Sequence, residues 1–309
     1  MKLTFVVPCY NEEKNIRLFY NDVVKSFKNK EYDIELIFIN DGSKDNTIGE
    51  LKKLVKLNDF EIKIIDFSRN FGKEAGIYAG LKNSTGDYTV LIDADMQQPP
   101  RLVLDMLKCI KEDNTIDIVA YYQETRIEGK ILSFLKKKFY SIINKITKLN
   151  FVNGASDFRL IKRNVLDAIL EFTEEERFSK GIFAWIGFNT KYLPYVPLDR
   201  ANGKTSWNLK KLLGYAMSGI LSFTNKPLKV VTHLGIFNIV ISFIWFIILI
   251  LLNNSIHNFQ YILSFILFMS GLNFIVLGYI GEFISRTYNE TRKRPIYIAR
   301  EVLTNEKVK

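Results

Sequence analysis

The stretch YTVLIDAD at residues 88–95 runs from an apolar segment directly into two carboxylates, Asp93 and Asp95. The apolar run at 88–92 predicts a buried strand, which would put both aspartates at the mouth of a parallel sheet. Two carboxylates one residue apart offer the hard oxygen ligands that Mg²⁺ or Mn²⁺ prefers when it holds a phosphate-bearing ligand. The triplet D-x-D is common by itself, and a turn or a helix cap is the alternative interpretation.

Further apolar runs along the first 120 residues predict the rest of the sheet. These runs are mainly apolar and do not alternate regularly with polar residues, which is typical of strands buried on both faces of a mainly parallel sheet. We therefore predict an α/β fold with a Rossmann-like, mostly parallel sheet and helices on each side. No G-x-G-x-x-G motif follows the first strand, so a dinucleotide site is only weakly indicated. The predicted strands are 3–7, 34–39, 62–66, 88–92 and 116–120, and the predicted helices lie near 13–28, 47–57, 72–83 and 100–111.

The charge of the chain is strongly basic. Its 309 residues include 43 lysines and arginines against 33 aspartates and glutamates, a formal net charge of +10. Such an excess indicates nucleic acid, an anionic membrane surface or an anionic substrate. The basic residues cluster beside apolar segments and no nucleic-acid motif occurs, so we expect a lipid bilayer and no nucleic acid. Cys9 and Cys109 are too few and too far apart in sequence to indicate a disulfide framework or a zinc site.

Two long apolar segments predict a transmembrane hairpin. Residues 230–252 carry no acidic or basic residue apart from His233, and residues 261–280 carry no charge, so each is long enough to cross a bilayer as a helix. The N-terminus begins with a strand and lacks signal-peptide architecture. The short loop between the spans lacks lysine and arginine whereas the flanks carry several, which places both termini in the cytoplasm. The flanking cations are Lys226, Lys229, Arg286, Arg292, Lys293 and Arg294.

Polar side chains also follow the first two predicted strands. The segments VPCYNE at residues 7–12 and FINDGSKDNT at residues 38–47 each end a strand and open a helix. A proline turn followed by a helix cap explains the same residue types, and that alternative stays open. The candidates for contacts to a nucleobase or ribose are Tyr10, Asn11, Glu12 and Asp41, with Gly42 for the tight turn.

Seven motifs follow one another in a fixed order along the chain. The first four are Pro8-x-Tyr10-Asn11-Glu12, Asp41-Gly42-Ser43-x-Asp45-x-Thr47, Arg69-Asn70-x-Gly72-Lys73 and Asp93-x-Asp95-x-Gln97-x-Pro99-Pro100. This series resembles the inverting family-2 glycosyltransferases with a GT-A fold, and among them the branch that loads a sugar onto polyprenyl phosphate, the dolichyl-phosphate mannose synthase and bactoprenol glucosyltransferase group. The bactoprenol-type subgroup is also matched by Asp157-Phe158-Arg159-Leu160, Lys180-Gly181-x-Phe183-Ala184-Trp185-x-Gly187 and Gly203-Lys204-Thr205-x-Trp207.

The resemblance implies a role for each motif. Asp157 matches the proposed catalytic base, and orientation of the acceptor or of Arg159 is its alternative role because a phosphate monoester already supplies a nucleophilic oxygen at pH 7. Asp95 would take part in catalysis as a metal ligand. Lys73 stands where the subgroup often has histidine, so a diphosphate contact and a simple helix start remain alternatives for it. The implied nucleotide-binding residues are Pro8, Tyr10, Asn11, Glu12, Asp41, Gly42, Ser43, Lys73, Asp93 and Lys204; the implied ligands of Mg²⁺ or Mn²⁺ are Asp93, Asp95 and Gln97; and the implied acceptor-phosphate residues are Arg126, Arg159 and Arg200.

The implied activity is transfer of a hexose, glucose first, from a UDP-sugar to undecaprenyl phosphate at the cytoplasmic face of a bacterial membrane. UDP-N-acetylglucosamine and GDP-mannose are alternative donors, and a homo-oligomer, up to a tetramer, is also implied. A downstream flippase would act on the product. A processive polysaccharide synthase and a catalytically idle membrane scaffold are the rival functions; the first usually carries a Gln-x-x-Arg-Trp motif and more spans, and the second fits poorly with the intact aspartates.

The expected organisation has four parts. A basic segment at 130–148, with six lysines and no acid, predicts an amphipathic helix on anionic lipid, although an ordinary surface helix has the same pattern. The expected parts are a cytoplasmic GT-A catalytic domain at 1–205, an interfacial helix at 206–229, two transmembrane helices within 230–285 (about 230–252 and 261–284), and a basic cytoplasmic tail at 286–309.

Overall fold

The computed structural model describes residues 1–123, 154–196 and 258–305, apart from 29, 58, 175, 176 and 293, together with 144, 149, 152 and 198. The chain divides into two compact units. One comprises Met1–Gly219 with Pro295–Lys309, and the other comprises Ile220–Arg294.

An eight-stranded sheet organises the first unit. Its strands lie in the order β7-β5-β6-β4-β1-β2-β3-β8. The pairs β1–β2, β2–β3, β1–β4 and β5–β7 are parallel, whereas β4–β6, β5–β6 and β3–β8 are antiparallel. The predicted α/β class with a mostly parallel sheet is therefore confirmed. The strands are β1 (Lys2–Cys9), β2 (Asp33–Asn40), β3 (Glu61–Phe67), β4 (Tyr88–Leu91), β5 (Ile118–Gln123), β6 (Ala155–Lys162), β7 (Thr190–Tyr195) and β8 (Ala299–Asn305).

Helices alternate with the parallel strands, as βαβ connections require. The first five predicted strands and the four predicted helices between them match the structure to within three residues at each boundary. The described helices are α1 (Ile16–Phe27), α2 (Thr47–Leu54), α3 (Lys73–Asn83), α4 (Val103–Glu112) preceded by a 3₁₀ turn (Pro100–Leu102), α5 (Arg163–Leu170), α6 (Ser179–Trp185) and α7 (Asn258–Thr291).

The central strands are buried because they are apolar on both faces. Phe5 of β1 packs edge-on against Phe27 of α1, with ring centroids 5.4 Å apart. Phe38 of β2 meets Phe19 of the same helix in a similar geometry at 6.1 Å. All four rings are essentially inaccessible to solvent. Burial of this kind contributes about 1.5–3 kcal/mol per large side chain and fixes the strand ends that carry the polar loops.

Part of the segment 286–309, which was predicted to be a basic tail, is a strand of the sheet. Residues Ala299–Asn305 form β8, which pairs antiparallel with the edge of β3. Arg300 lies 3.8 Å from the buried carboxylate of Asp66, and Tyr297 stacks on Phe67 with a centroid distance of 4.9 Å. Residues Ala299–Asn305 therefore belong to the sheet.

Asn305 closes the end of β8, and its replacement by alanine is expected to loosen this edge. Its side-chain oxygen accepts the Ile62 N–H, and its amide donates to the carbonyls of Leu57 and Phe60. Losing these partners costs roughly 1–2 kcal/mol, so amide exchange in β3 should become about tenfold faster. Hydrogen exchange measured across β3 checks this, and Thr304→Ala, at an exposed position of the same strand, is the control that should change little.

The second predicted span lies within the 34-residue helix α7. Among the residues that the structure describes, no helix combines the length and the apolarity that crossing a membrane requires. The first predicted span, the 206–229 segment and, except for residue 144, the 130–148 segment lie outside the described residues.

Candidate active site

The carboxyl ends of three neighbouring parallel strands, β2, β1 and β4, carry most of the predicted site. Because these strands run in the same direction, the loops that follow them meet at one edge of the sheet. The loops are 10–15 after β1, 41–46 after β2 and 92–99 after β4.

The first two loops are joined by side chain to backbone hydrogen bonds. The Asn11 N–H donates to the Ser43 hydroxyl over 3.0 Å, and the Lys44 N–H donates to the Asn11 side-chain oxygen over 2.8 Å. The Glu12 N–H donates to the Thr47 hydroxyl over 2.8 Å. Asn11 has a positive φ of 57°, a conformation that asparagine tolerates well. Asn11 and Ser43 therefore have a structural role between the loops, and their predicted nucleotide contacts stay predictions.

Tyr10 and Glu12 border this pair of loops. Tyr10 is 39% exposed. Glu12 accepts a hydrogen bond from the Asn15 amide at 2.6 Å. Pro8 lies within β1 and is partly buried. The structure brings these residues together at the end of β1, as their motif predicted.

Asp41 is nearly buried and holds the loop that precedes α3. Its Oδ1 accepts the Phe71 N–H at 2.7 Å, and its Oδ2 accepts the Gly72 N–H at 3.0 Å. Burial raises the pKa of Asp41 above its ordinary value, although the two backbone hydrogen bonds oppose this effect. The predicted contact to a nucleobase or ribose stays a prediction, since these loop amides are partners that the sequence did not reveal.

Gly42 permits the close approach of the two loops. It has a φ of +61°, and a Cβ there would lie 2.4 Å from the Arg69 carbonyl carbon and 2.5 Å from the Asn70 nitrogen. No side chain fits that space without moving the backbone, so Gly42 is required for packing as well as for the turn.

Replacing Gly42 by alanine is therefore expected to destabilise the protein by about 2–4 kcal/mol, from backbone strain and overpacking together. Gly187 is the matched control because it has a similar φ of +72° with nothing within 4 Å of an added Cβ. Gly187→Ala should cost only the strain, about 1–2 kcal/mol. Urea unfolding of both variants measures the difference, and equal losses would contradict the close-approach argument.

Lys73 bridges Asp93, a predicted nucleotide and metal ligand, and Asp157, the predicted base. Its Nζ lies 2.8 Å from Oδ1 and 3.0 Å from Oδ2 of Asp93, and 2.8 Å from Oδ2 of Asp157. Asp93 follows β4 and Asp157 lies in β6, which pairs antiparallel with β4. The predicted donor-site and base residues are thus adjacent, and Lys73 is the group that connects them.

The electrostatics of this cluster favour the charged forms. Burial alone would raise the pKa of Asp157, but attraction to Lys73 and Lys180 overrides it and holds that pKa well below its usual range. Burial would likewise lower the pKa of Lys73, but the negative charges of Asp157 and Asp93 raise it above the ordinary value. Asp157 is therefore a carboxylate and Lys73 an ammonium throughout the physiological pH range.

Lys180 is a further cation near the site, and its motif alone did not predict a role for it. Its ammonium donates to the Ala155 carbonyl over 3.0 Å and lowers the pKa of Asp157. The sequence around Lys180 does not reveal this contact, because α6 reaches β6 only through the tertiary fold.

Arg159 is more deeply buried than its predicted role as a phosphate ligand would suggest. It is 3% exposed, stacks over the Phe183 ring at 3.7 Å and donates to the carbonyls of Ser156 and Asp157 at 2.9 and 3.3 Å. These contacts fix the backbone that carries Asp157. Its predicted contact with acceptor phosphate stays a prediction, and the other predicted cations, Arg126, Arg200 and Lys204, lie outside the described residues.

The loop after β4 holds Asp95 and Gln97 at the partly exposed edge of the site. The Gln97 N–H donates to Asp95 Oδ1 over 3.2 Å, and Met96 between them has a positive φ of 61°. Gln97 also donates its side-chain amide to the Leu198 carbonyl over 3.4 Å. The hydrogen bond from the Gln97 N–H therefore orients the Asp95 carboxylate within this turn.

The donor set fits a divalent cation that arrives with a diphosphate. Within the described residues no group of three or more His, Cys, Asp and Glu side chains forms a ready metal cage. Two partly exposed carboxylates, Asp93 and Asp95, are nevertheless present at one strand end. Mg²⁺ typically uses one or two carboxylates and completes its shell with substrate phosphates and water.

Comparison with known proteins agrees with the motifs. Residues 4–170 match the family described as Glycosyl transferase family 2. The chain is 39% identical over 303 residues to the putative glycosyltransferase CsbB of Bacillus subtilis, covering 97% of this chain and 91% of that protein. It is 37% identical to the prophage bactoprenol glucosyl transferase homolog of Escherichia coli, covering 98% and 99%. It is also 37% identical to the bactoprenol glucosyl transferase of Shigella phage SfX, covering 96% and 98%.

Among solved structures, similarity extends to the mannosyltransferase PcManGT of Pyrobaculum calidifontis in complex with GDP-Man and Mn²⁺. The TM-score is 0.47 at 18% identity, with 65% of this chain and 57% of that chain covered. The family match over more than half of the chain and the full-length relatives decide the assignment. The chain belongs to glycosyl transferase family 2 and is a glycosyltransferase.

Proposed function

We propose that the protein transfers a hexose, with glucose as the first candidate, from a UDP-sugar to undecaprenyl phosphate with inversion at the anomeric carbon. The observation that carries this proposal is the full-length similarity to bactoprenol glucosyl transferases, at 36–37% identity. The cluster of Asp93, Lys73 and Asp157 supports it, because a donor site and an acceptor site must meet where the sugar is transferred.

The donor would bind across the ends of β1, β2 and β4. Tyr10 is partly exposed and would stack on the uracil, and Asp41 fixes the neighbouring loop that precedes α3. The diphosphate would then lie towards Asp93 and Asp95. This arrangement follows the general rule that ligands of open α/β sheets bind outside the carboxyl ends of the strands.

Asp93 and Asp95, with Gln97 assisting, would hold Mg²⁺ or Mn²⁺. When bound, the cation stabilises the negative charge of the departing nucleoside diphosphate. Asp157 lies on the other side of Lys73, and it would orient the acceptor phosphate beside Lys180 and Arg159. The second pKa of a phosphate monoester is near 6, so the acceptor already supplies a nucleophilic oxygen at neutral pH and needs little proton removal.

The lipid acceptor requires a catalytic domain at a bilayer. We propose that both predicted spans, within 230–285, anchor the protein in the cytoplasmic membrane of a bacterium with the active site on the cytoplasmic side. The apolar composition of 230–252 and 261–280 and the basic residues that flank them support this proposal. The basic segment at 130–148 would add electrostatic attraction to anionic lipid.

A transfer assay tests the proposed function. The purified full-length protein is supplied with undecaprenyl phosphate and Mn²⁺ or Mg²⁺, and UDP-glucose, UDP-N-acetylglucosamine and GDP-mannose are offered separately. One hexosyl-phosphoryl-lipid, identified by mass with one donor only, is the expected product. Chain-length growth beyond one sugar would instead identify a processive synthase, and no product with any donor would reject the proposal for these substrates.

A further inference from the structure

Lys73 occupies a position in α3 that local physics disfavours for a cation. It is the first residue of the helix, where the N-terminal end of the helix dipole repels positive charge. A residue that contradicts local preference is typical of a functional site. The compensating partners are the two carboxylates of Asp93 and Asp157, which reach it from other elements of the fold.

Three carboxylate oxygens from two aspartates surround the Lys73 ammonium, and Nζ donates hydrogen bonds to Oδ2 of Asp93 and Oδ2 of Asp157. An ammonium has three N–H donors, and three oxygens lie within 3.0 Å of Nζ. Both oxygens of Asp93 are engaged by this one group. A divalent cation bound to the same carboxylate would lie within a few ångströms of the ammonium. The two positive charges would repel each other strongly in a partly buried site.

The backbone beneath Lys73 is fixed, whereas its side chain is partly exposed. Asp41 binds the N–H groups of Phe71 and Gly72, immediately before Lys73. Further along α3, Gly80 lets the helix approach β1, since a Cβ there would lie 2.1 Å from Val6 Cγ1. The Lys73 side chain is nevertheless 37% exposed, and its four-carbon stem allows the ammonium to swing about this fixed base.

We propose that the Lys73 ammonium and a divalent cation compete for the carboxylate of Asp93, and that the donor diphosphate resolves this competition by drawing the ammonium onto itself. The inference rests on the proposed donor site. Lys73 is then a positioning residue that makes metal binding depend on the nucleotide. It discourages a cation from occupying Asp93 without donor, and it supplies positive charge to the diphosphate once donor binds.

Binding of Mn²⁺ to the full-length protein tests this competition directly. Free Mn²⁺ is measured by electron paramagnetic resonance, with and without UDP, and no transfer reaction is involved. Lys73→Met removes the charge but keeps the length of the side chain, so it is expected to tighten Mn²⁺ binding without nucleotide by about tenfold. The factor by which UDP tightens Mn²⁺ binding should fall in the same variant.

Two further variants separate charge from structure. Lys73→Arg retains the cation and should leave nucleotide-free Mn²⁺ affinity within about threefold of the unmodified protein, a change well below the effect expected of Lys73→Met. Lys82→Met removes a lysine from the far end of the same helix and should not change Mn²⁺ binding. An unchanged or weakened Mn²⁺ affinity in folded Lys73→Met would overturn the proposal.

The unmodified protein provides an independent check if Lys73→Met does not fold. Competition requires that UDP or inorganic diphosphate tighten Mn²⁺ binding, and equal affinity with and without them would also overturn the proposal. Failure of the proposed function looks different. In that case no lipid-linked hexose forms with any donor, while Mn²⁺ binding still tightens in Lys73→Met.

Discussion

Replacing Asp95 by asparagine is expected to lower divalent-cation-dependent transfer by about 10²–10³-fold, the typical cost of losing one electrostatic contact to a developing charge. The carboxylate lies on the partly exposed loop after β4, two residues beyond Asp93. Asparagine keeps an oxygen that can accept the Gln97 N–H, so the turn should persist. What is lost is the negative charge that would hold the cation against the diphosphate.

The measurement is the initial rate of lipid glycosylation across a range of Mn²⁺ concentrations. Asp95→Asn should need more Mn²⁺ and should still fall short of the original rate at saturation. Asp105→Asn is the matched control, because it makes the same substitution at an exposed aspartate of α4, the helix that follows this loop. Near-normal turnover of Asp95→Asn at low Mn²⁺ would refute the assignment of Asp95 as a metal ligand.

Much of the fold can be predicted from the sequence because the central strands are mainly apolar on both faces. The runs at 34–39 and 88–92 contain enough consecutive apolar residues to predict buried parallel strands, and both strands are observed. By contrast β8 alternates exposed and partly buried residues and pairs with β3, more than 230 positions earlier. No local pattern identifies such a long-range partner, so a basic tail was the natural interpretation.

The candidate site shows the same division. Strand-end aspartates such as Asp41 and Asp93 are visible as motifs, but their partners are not. Lys73 and Asp157 are 84 positions apart, and Asp41 binds amides 30 positions away. These contacts arise when α3 and β6 meet the same sheet edge, so sequence spacing alone left Lys73 between two roles.

Asp157→Asn is expected to lower transfer by about 10²-fold without removing the acid limb of the pH profile. The folded pKa of Asp157 is depressed, so its ionisation stabilises the fold above the unfolded pKa of about 4. That contribution is lost only as the pH falls through the lower, folded value. Asp157 is thus fully ionised from pH 5 to 9, and a carboxylate with so low a pKa is a weak base.

The acid limb should instead follow the acceptor phosphate, near pH 6, in both the unmodified protein and Asp157→Asn. Loss of activity then reflects the orientation of acceptor and of Lys73, which Asp157 holds at 2.8 Å. The profile of kcat/KM for the lipid acceptor between pH 5 and 9 decides this, with Asp167→Asn on the exposed face of α5 as control. If the acid limb disappeared in Asp157→Asn alone, Asp157 would be acting as a proton acceptor. Its environment would then have to change on substrate binding, because only a large rise in its pKa makes it an effective base at neutral pH.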